Sequence, residues 1–476
     1  MTETLNPDIC VIGGGSGGLS VAAGASQMGA KVVLVEKHKM GGDCLNYGCV
    51  PSKALLAAAG RARTATGAAV FGISHPAAPR IDGKAVFDHV KGVIEAIAPM
   101  DSVERFEGLG VQVIQGAARF TDARTIEVDG RRIRPKYAVI ATGSHAFVPP
   151  IEGLELTPFF SNETIFDQKA IPEHLIVLGA GPIGIEMAQA HARLGARVTV
   201  LEMARALPKD DPELAAVVLA QIAADGVTLR EGVQVIRVAG EAGAIDVTLA
   251  TADGITETIR GTALLVATGR RANVDGLGLE AAGIEFSARG ISVDTRLRTS
   301  NKRVFAIGDV AGGLQFTHVA GYHAGIVIRN ALFRLPAKAD HSAVPWVTYT
   351  DPEVAQVGLT EAAARAKGLS YQVLRWPFFE NDRAQAERAT AGLIKAIVTP
   401  KGKILGAGIA GKGAGDLIQP WVLALSQGLK IAALASMVAP YPTRSEISKR
   451  AAGSFYTPKL FSDRTRSIVR FLLRLP

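Results

Sequence analysis

One local pattern occurs twice in this chain and limits what it can fold into. Residues Asp8–Val11 form a short apolar run. It is followed by GGGSGG, carrying Gly13, Gly15 and Gly18, by the helix-forming LSVAAGASQMGA, and by KVVLVE, which closes on Glu36. The same layout recurs in HLIVLGAGPIGIEMAQAHARLGARVTVLE, where Gly179, Gly181 and Gly184 follow one strand and Glu202 closes the next. In such a unit the first glycine permits a tight turn, the second lets backbone approach a pyrophosphate, and the third lets the helix lie close to the sheet. The helix N-terminus offers unpaired N–H groups and its positive dipole end to phosphates, and the terminal acid suits a ribose hydroxyl pair. A second echo supports the duplication, because YAVIATGS (Tyr137–Ser144) and ALLVATGR (Ala263–Arg270) are both apolar runs ending in Ala-Thr-Gly. Two such units predict an α/β fold with two Rossmann-like nucleotide-binding domains.

The rest of the chain supplies a third part. At roughly 150 residues per domain, a chain of 476 residues suggests about three domains. SVDTRLRTS reads as a strand and turn, and VFAIGDVAGG (Val304–Gly313) as another buried strand ending in a Gly-Asp turn. From Pro345 the pattern shifts to alternating strands and longer helices, which reads as a separate α+β domain. The expected divisions are residues 1–150 and 275–342 for the first nucleotide-binding domain, 151–274 for the second, 343–461 for the α+β domain, and 462–476 for a tail. In that tail Arg466, Arg470 and Arg474 recur every fourth residue, with Ile468, Phe471, Leu472 and Leu475 roughly opposite. Such a basic amphipathic helix suits an anionic membrane surface, a partner groove, or docking on the preceding domain.

Composition removes several classes. Hydrophobic residues make up 48% and charged residues 20%, so real cores can form. No stretch approaches the ~20 apolar residues of a membrane-spanning helix. Aromatics are 6% and no zinc-finger spacing appears, so nucleic acid is not an expected partner. No cluster has metal-ligand spacing, so no structural metal is expected. The net charge of +8 favours phosphate-bearing ligands or an anionic surface. Three cysteines are too few for a disulfide scaffold, and the N-terminus is unlike a secretory signal. The expected setting is therefore reducing and cytoplasmic, and any disulfide is expected to be catalytic.

Such a pair stands in GGDCLNYGCVPSKALL, where Cys44 and Cys49 are separated by four residues. Pro51 suits a first helical turn, which places Cys49 near a helix N-terminus, where the dipole stabilises a thiolate. Lys53 falls one turn later, on the same face as the sulfur. Cys10, in the first strand, reads as simply buried. Asp43 either raises the Cys44 thiol pKa by its charge or caps the coming turn. His318 and His323 read mainly as structural histidines, with His318 a weak site candidate. Glu202 would repel a 2′-phosphate, so NADH is favoured over NADPH; Arg205 nearby works against that preference.

These motifs together resemble the pyridine nucleotide–disulfide oxidoreductases of the lipoamide dehydrogenase, glutathione reductase and mercuric reductase type, from GGGSGG to PYPTRSE. The resemblance implies an FAD domain interrupted by an NAD(P) domain, a C-terminal dimerisation domain and a homodimer. It implies that Asp309 binds the FAD ribityl chain, and that Gly42, Gly116, Thr142, Gly143 and Gly269 contact the cofactors. It implies a Lys53–Glu186 ion pair beside the flavin, Cys49 facing the flavin, and Cys44 meeting substrate. Pro182 stands where many relatives carry a gating tyrosine. Tyr441 replaces the histidine of the disulfide-reducing relatives and Glu446 holds the acid position, both expected to reach the partner's site. A phenol, with a reference pKa near ~10, is a poor base at neutral pH. Mercuric reductases also use a tyrosine there but carry a C-terminal cysteine pair that this tail lacks. The expected function is therefore electron transfer from NAD(P)H through FAD and Cys44/Cys49 to a small-molecule acceptor. A disulfide of the dihydrolipoamide type is the first reading for that acceptor, and a soft metal ion or quinone the alternative. A membrane-docked redox-sensing flavoprotein, peripheral at the inner face of the membrane, is the rival of another class.

Overall fold

The computed structural model describes residues 4–73 and 79–476. The chain divides into two compact units, Met1–Ala204 with Leu229–Asp340, and Arg205–Thr228 with His341–Pro476.

The first unit holds both glycine-turn motifs, each at the heart of a parallel sheet. In one sheet the strands run Val304–Ala306, Tyr137–Ile140, Ile9–Ile12, Val32–Glu36, Val111–Gln115 from edge to edge, all parallel. These strands are apolar along their whole length because both faces are covered. Successive side chains alternate between two cores. Cys10, Ile12, Val33, Val35, Ala138 and Ile140 enter one core with Phe120, Ile126 and Ile133 of a small antiparallel sheet. Ile9, Val11, Val32, Leu34, Val139 and Phe305 enter the other, with Leu19 and Ala22 of helix Ser16–Gln27 and Ile326 and Val327 of helix Thr317–Ala331. Burying each large aliphatic side chain fully contributes about 1.5–3 kcal/mol, so this register is strongly determined.

The second sheet repeats the plan, with strands Val227–Glu231, Arg197–Glu202, His174–Leu178 and Ala263–Val266 in that order. The two Ala-Thr-Gly strands, Tyr137–Ile140 and Ala263–Val266, occupy equivalent places beside the first strand of each unit. Each is preceded by antiparallel strands: Arg119–Phe120, Ile126–Val128 and Arg131–Ile133 in one case, Val233–Glu241, Ala244–Thr251 and Thr256–Gly261 in the other. The fold class is the expected α/β arrangement with two nucleotide-binding domains.

One expectation is corrected. SVDTRLRTS does not form a strand, and residues 292–300 run as turn and irregular backbone. Asp294 sets that path: its Oδ1 accepts from the N–H groups of Arg296 (2.9 Å) and Arg298 (3.0 Å). An aspartate that bonds nearby backbone in this way competes with strand pairing.

The second unit is built on a five-stranded antiparallel sheet ordered Pro345–Thr348, Glu353–Gly358, Ile404–Gly411, Leu393–Val398, Gln372–Pro377. Helices Gln419–Ser426, Ile431–Ser436 and Glu446–Ser454 cover it, with Trp421 fully buried and its indole N–H donating to Ser448 Oγ (2.9 Å). Helix Pro212–Ala224 lies within residues 151–274 in sequence but is a member of this second unit. Its buried Leu214 packs where Gly408 leaves room, since a Cβ there would stand 2.4 Å from Leu214 Cδ1. The tail forms a helix, Asp463–Leu472.

Candidate active site

Helix Cys49–Thr66 begins at Cys49 itself, so the sulfur sits in the first turn, where the dipole favours a thiolate. Cys44 lies on the short helix Gly42–Asn46 just before it. Both cysteines are free thiols, Cys49 exposed and Cys44 half-buried. They act as an asymmetric pair. The hydrogen bond from the Cys44 thiol brings Cys49 down to about 6, and Thr317 and the Lys53 charge support that shift against burial and Asp43. The same bond, with burial, pushes the Cys44 thiol well up. At neutral pH the pair therefore holds one proton, on Cys44, beside a Cys49 thiolate.

Lys53 Nζ lies 2.8 Å from Oε2 of the buried Glu186, joining helices Cys49–Thr66 and Pro182–Arg193. Thr317 was not singled out from the sequence, although its neighbour His318 was. Thr317 Oγ1 is 3.3 Å from Cys49 Sγ, because it begins the helix Thr317–Ala331. His318 instead stacks on Phe316, with ring centroids 5.2 Å apart. His323 is buried, and its Nδ1 accepts from Gly308 N (3.2 Å), holding the turn that presents Asp309. Cys10 is fully buried, its thiol pushed up to about 12 by burial.

Asp43 performs neither of its expected roles alone. Its Oδ1 accepts from Asn162 Nδ2 (2.9 Å) and pairs with Arg270 (3.2 Å). Arg270 Nε also donates to Ser144 Oγ (2.7 Å), whose hydroxyl donates to Asp309 Oδ2 (2.6 Å). Burial pushes the Asp309 carboxyl up, with Ser144 and Arg270 opposing. Arg270 thus links the loop of the first cysteine to the Gly-Asp turn. Asn273 ties the two Ala-Thr-Gly segments together: its Nδ2 donates to Thr142 O (2.8 Å), while Thr142 Oγ1 donates to Asn273 O (2.8 Å) and Gly143 O accepts from Asn273 N (3.0 Å). Gly269 O accepts from Phe147 N (2.9 Å), which continues that pairing.

The glycine turns fit dinucleotides. A Cβ on Gly18 would stand 1.8 Å from Gly13 O, and one on Gly184 2.0 Å from Gly179 O. Gly13 (φ +109°) and Gly179 (φ +99°) occupy conformations that side chains rarely adopt. Gly15 and Gly181 face space, with nothing nearer to an added Cβ than Gly42 Cα at 3.8 Å for the first and nothing within 4 Å for the second. No side chain caps helix Ser16–Gln27 or helix Pro182–Arg193, the latter opening on Pro182. The acids repeat each other bond for bond. Glu36 accepts from Gly14 N (2.5 Å) and His38 N (2.7 Å), and Glu202 from Ala180 N (2.8 Å) and Ala204 N (2.9 Å). Gly116, whose N–H donates to Glu36 O (2.9 Å), abuts Asp129 so closely that a Cβ would lie 2.6 Å from its Oδ2. These cradles, with Asp309, match the anionic and hydroxyl-bearing parts of FAD and of a pyridine nucleotide.

Tyr441 and Glu446 belong to the second unit. Tyr441 is 71% exposed and its hydroxyl donates to Asp382 Oδ2 (2.9 Å), a partner that pushes the phenol's pKa up. Glu446 opens helix Glu446–Ser454. Among the described residues no group of His, Cys, Asp and Glu forms a metal site.

The family model for pyridine nucleotide-disulphide oxidoreductases matches residues 7–324, and that for their dimerisation domain residues 344–452. The chain belongs to the pyridine nucleotide-disulphide oxidoreductase family. It is 37% identical to a mercuric reductase of Streptomyces lividans over 94% of this chain and 96% of that protein. It is also 37% identical to a dihydrolipoyl dehydrogenase of Geobacillus stearothermophilus, over 95% of each. The structure of the HOCl-induced flavoprotein disulfide reductase RclA from Escherichia coli, as its Cu(II) complex, matches with TM-score 0.84 and 28% identity, covering 94% of this chain and 99% of that one. As a member of this disulphide oxidoreductase family the chain is an FAD-dependent NAD(P)H oxidoreductase, and its dimerisation domain supports a homodimer.

Proposed function

We propose that this oxidoreductase uses NADH, that Cys44 and Cys49 are its redox pair, and that its acceptor is a soft, thiophilic metal ion. The Tyr441–Asp382 hydrogen bond carries the acceptor class. Reducing an organic disulfide requires a proton to move at the leaving sulfur, and a group that titrates near neutral pH does this best. A phenol held protonated by a carboxylate neither accepts nor releases a proton there. A soft metal ion has no leaving sulfur to protonate, and thiolate sulfur is its preferred ligand. The mercuric reductases among the relatives and the Cu(II) complex of RclA support this class.

FAD, when bound, would supply the two-electron chemistry that links NADH to the sulfurs. Glu36 and the turn Gly13–Gly18 would hold its adenosine and pyrophosphate, Asp309 its ribityl chain, and Lys53, fixed by Glu186, would set the charge beside its ring. Glu202, fixed by two backbone N–H groups, prefers a free 2′-hydroxyl to a phosphate, and Arg205 turns its guanidinium to Pro208 O (3.2 Å). Two electrons and one proton break the Cys44–Cys49 bond, leaving the Cys44 thiol and Cys49 thiolate. Re-forming that bond returns two electrons to the divalent ion and releases the proton. The net reaction is NADH plus the divalent ion to NAD⁺, the reduced metal and one proton. The Tyr441 and Glu446 segment would reach the partner's redox pair. A dihydrolipoamide-type disulfide is the second reading, favoured by Glu446 at the expected acid position.

Steady-state kinetics with NADH and NADPH against mercuric and cupric ions, lipoamide and quinones tests this. Turnover with a metal ion and NADH is expected, with lipoamide slow and Tyr441→His raising lipoamide turnover by about tenfold or more. Fast lipoamide turnover that Tyr441→His abolishes would overturn the acceptor class.

A further inference from the structure

The tail helix Asp463–Leu472 has a side-chain cap, since Ser462 Oγ accepts from Thr465 N (3.3 Å). It packs no buried residue against its own chain. Ile468, Val469, Phe471, Leu472, Leu473 and Leu475 are between 47% and 80% exposed. At 3.6 residues per turn Ile468, Val469, Phe471 and Leu472 fall on one side of the helix, and Leu473 and Leu475 follow in the turn that ends it. Arg466 and Arg470 share the opposite side with Ser467 and Asp463, the one acid of the segment, and Arg474 follows in the closing turn. Arg464 falls within the apolar side, between Phe471 and Ile468, where a long stem can lie along apolar surface while its charge reaches out. A helix with this division forms stably when its apolar side is covered.

We propose that this helix lies in the headgroup layer of an anionic lipid bilayer, apolar side toward the acyl chains and arginines among the lipid phosphates. Charge selects this occupant. Four arginines against one carboxylate suit an anionic surface. A second copy would bring an identical basic helix to a chain of net charge +8, and repulsion opposes that contact. Ten residues make a helix of roughly 15 Å, half the hydrocarbon thickness, so it lies on the bilayer without crossing it. No helix among the described residues is long and apolar enough to cross a membrane.

The test is sedimentation of the full-length, FAD-loaded enzyme with vesicles of phosphatidylcholine alone and of phosphatidylcholine with phosphatidylglycerol, at low and high salt. Binding to the anionic vesicles is expected to be at least about tenfold stronger, and to fall as salt shortens the range of the charges. Replacing Arg466, Arg470 and Arg474 by Gln is expected to weaken it about fivefold per charge. Phe471→Glu with Leu472→Glu is expected to abolish it while NADH turnover and the sedimentation coefficient stay unchanged. Equal binding to both vesicle types, binding to neither, or dissociation of the dimer in the double variant would overturn the proposal.

Discussion

A thiol bonded to a thiolate titrates unlike either alone, and the smallest readable event here is the position of one proton. With Cys49 brought to about 6 by the Cys44 thiol, alkylation of the reduced enzyme by iodoacetamide is expected to reach half its plateau rate near that pH. Cys44→Ala and Thr317→Val each remove a stabilising bond, so each is expected to move the midpoint upward and slow alkylation at pH 6 several-fold. Asp43 acts in the opposite sense. Arg270→Gln leaves its carboxylate unpaired near the sulfurs and is expected to raise the Cys49 midpoint, whereas Asp43→Asn is expected to lower it. Mass spectrometry of the alkylated peptide separates Cys49 from Cys44. The cysteine pair and Lys53 were visible in the sequence because their spacing is local. Arg270 and Thr317 were not, since they come from segments more than two hundred residues away.

Between whole elements, the duplication proves deeper than its motifs. Sheet order, the place of the Ala-Thr-Gly strand, the antiparallel strands before it and the backbone bonds to the terminal acid all recur. If each turn serves its own ligand, as proposed, their effects separate. Gly184→Ala would force a Cβ to within 2.0 Å of Gly179 O and is expected to raise KM for NADH at least about tenfold, leaving flavin content intact. Gly18→Ala is expected to cost bound flavin, read as the absorbance of the purified enzyme per mole of chain. Glu202→Ala is expected to narrow the preference for NADH by about tenfold, measured as the ratio of kcat/KM values for NADH and NADPH. The glycine spacing announced the turns, whereas the antiparallel strands went unread although Ile245, Val247 and Leu249 alternate as a half-buried strand should.

For the molecule as a whole, the second unit contains an ion cluster centred on Lys395. Lys395, 6% exposed, bonds Asp211 (2.9 Å), Glu213 (3.0 Å) and Glu361 (2.9 Å). Arg375 and Lys395 hold the Glu213 carboxyl below its usual range, and Lys395 holds that of Glu361 there. Depressed carboxylates contribute stability that is present above about pH 4.3 and lost as pH falls through their folded values. The thermal unfolding temperature is therefore expected to drop once the pH is below about 4, and less so in Glu361→Gln. Lys395→Met leaves Asp211 buried and unpaired and is expected to cost about 3–5 kcal/mol, read from urea melts. By itself the sequence determined the two nucleotide-binding units, the α/β class, a cysteine pair at a helix start and the amphipathic tail, because each follows from periodicity or spacing within some thirty residues. Only tertiary structure decided which thiol keeps the proton, that Asp43 meets Arg270, that Tyr441 is held by Asp382, and that the tail helix buries no residue among the described residues. Those outcomes depend on charges and surfaces brought together across long separations, where no local pattern records the partner.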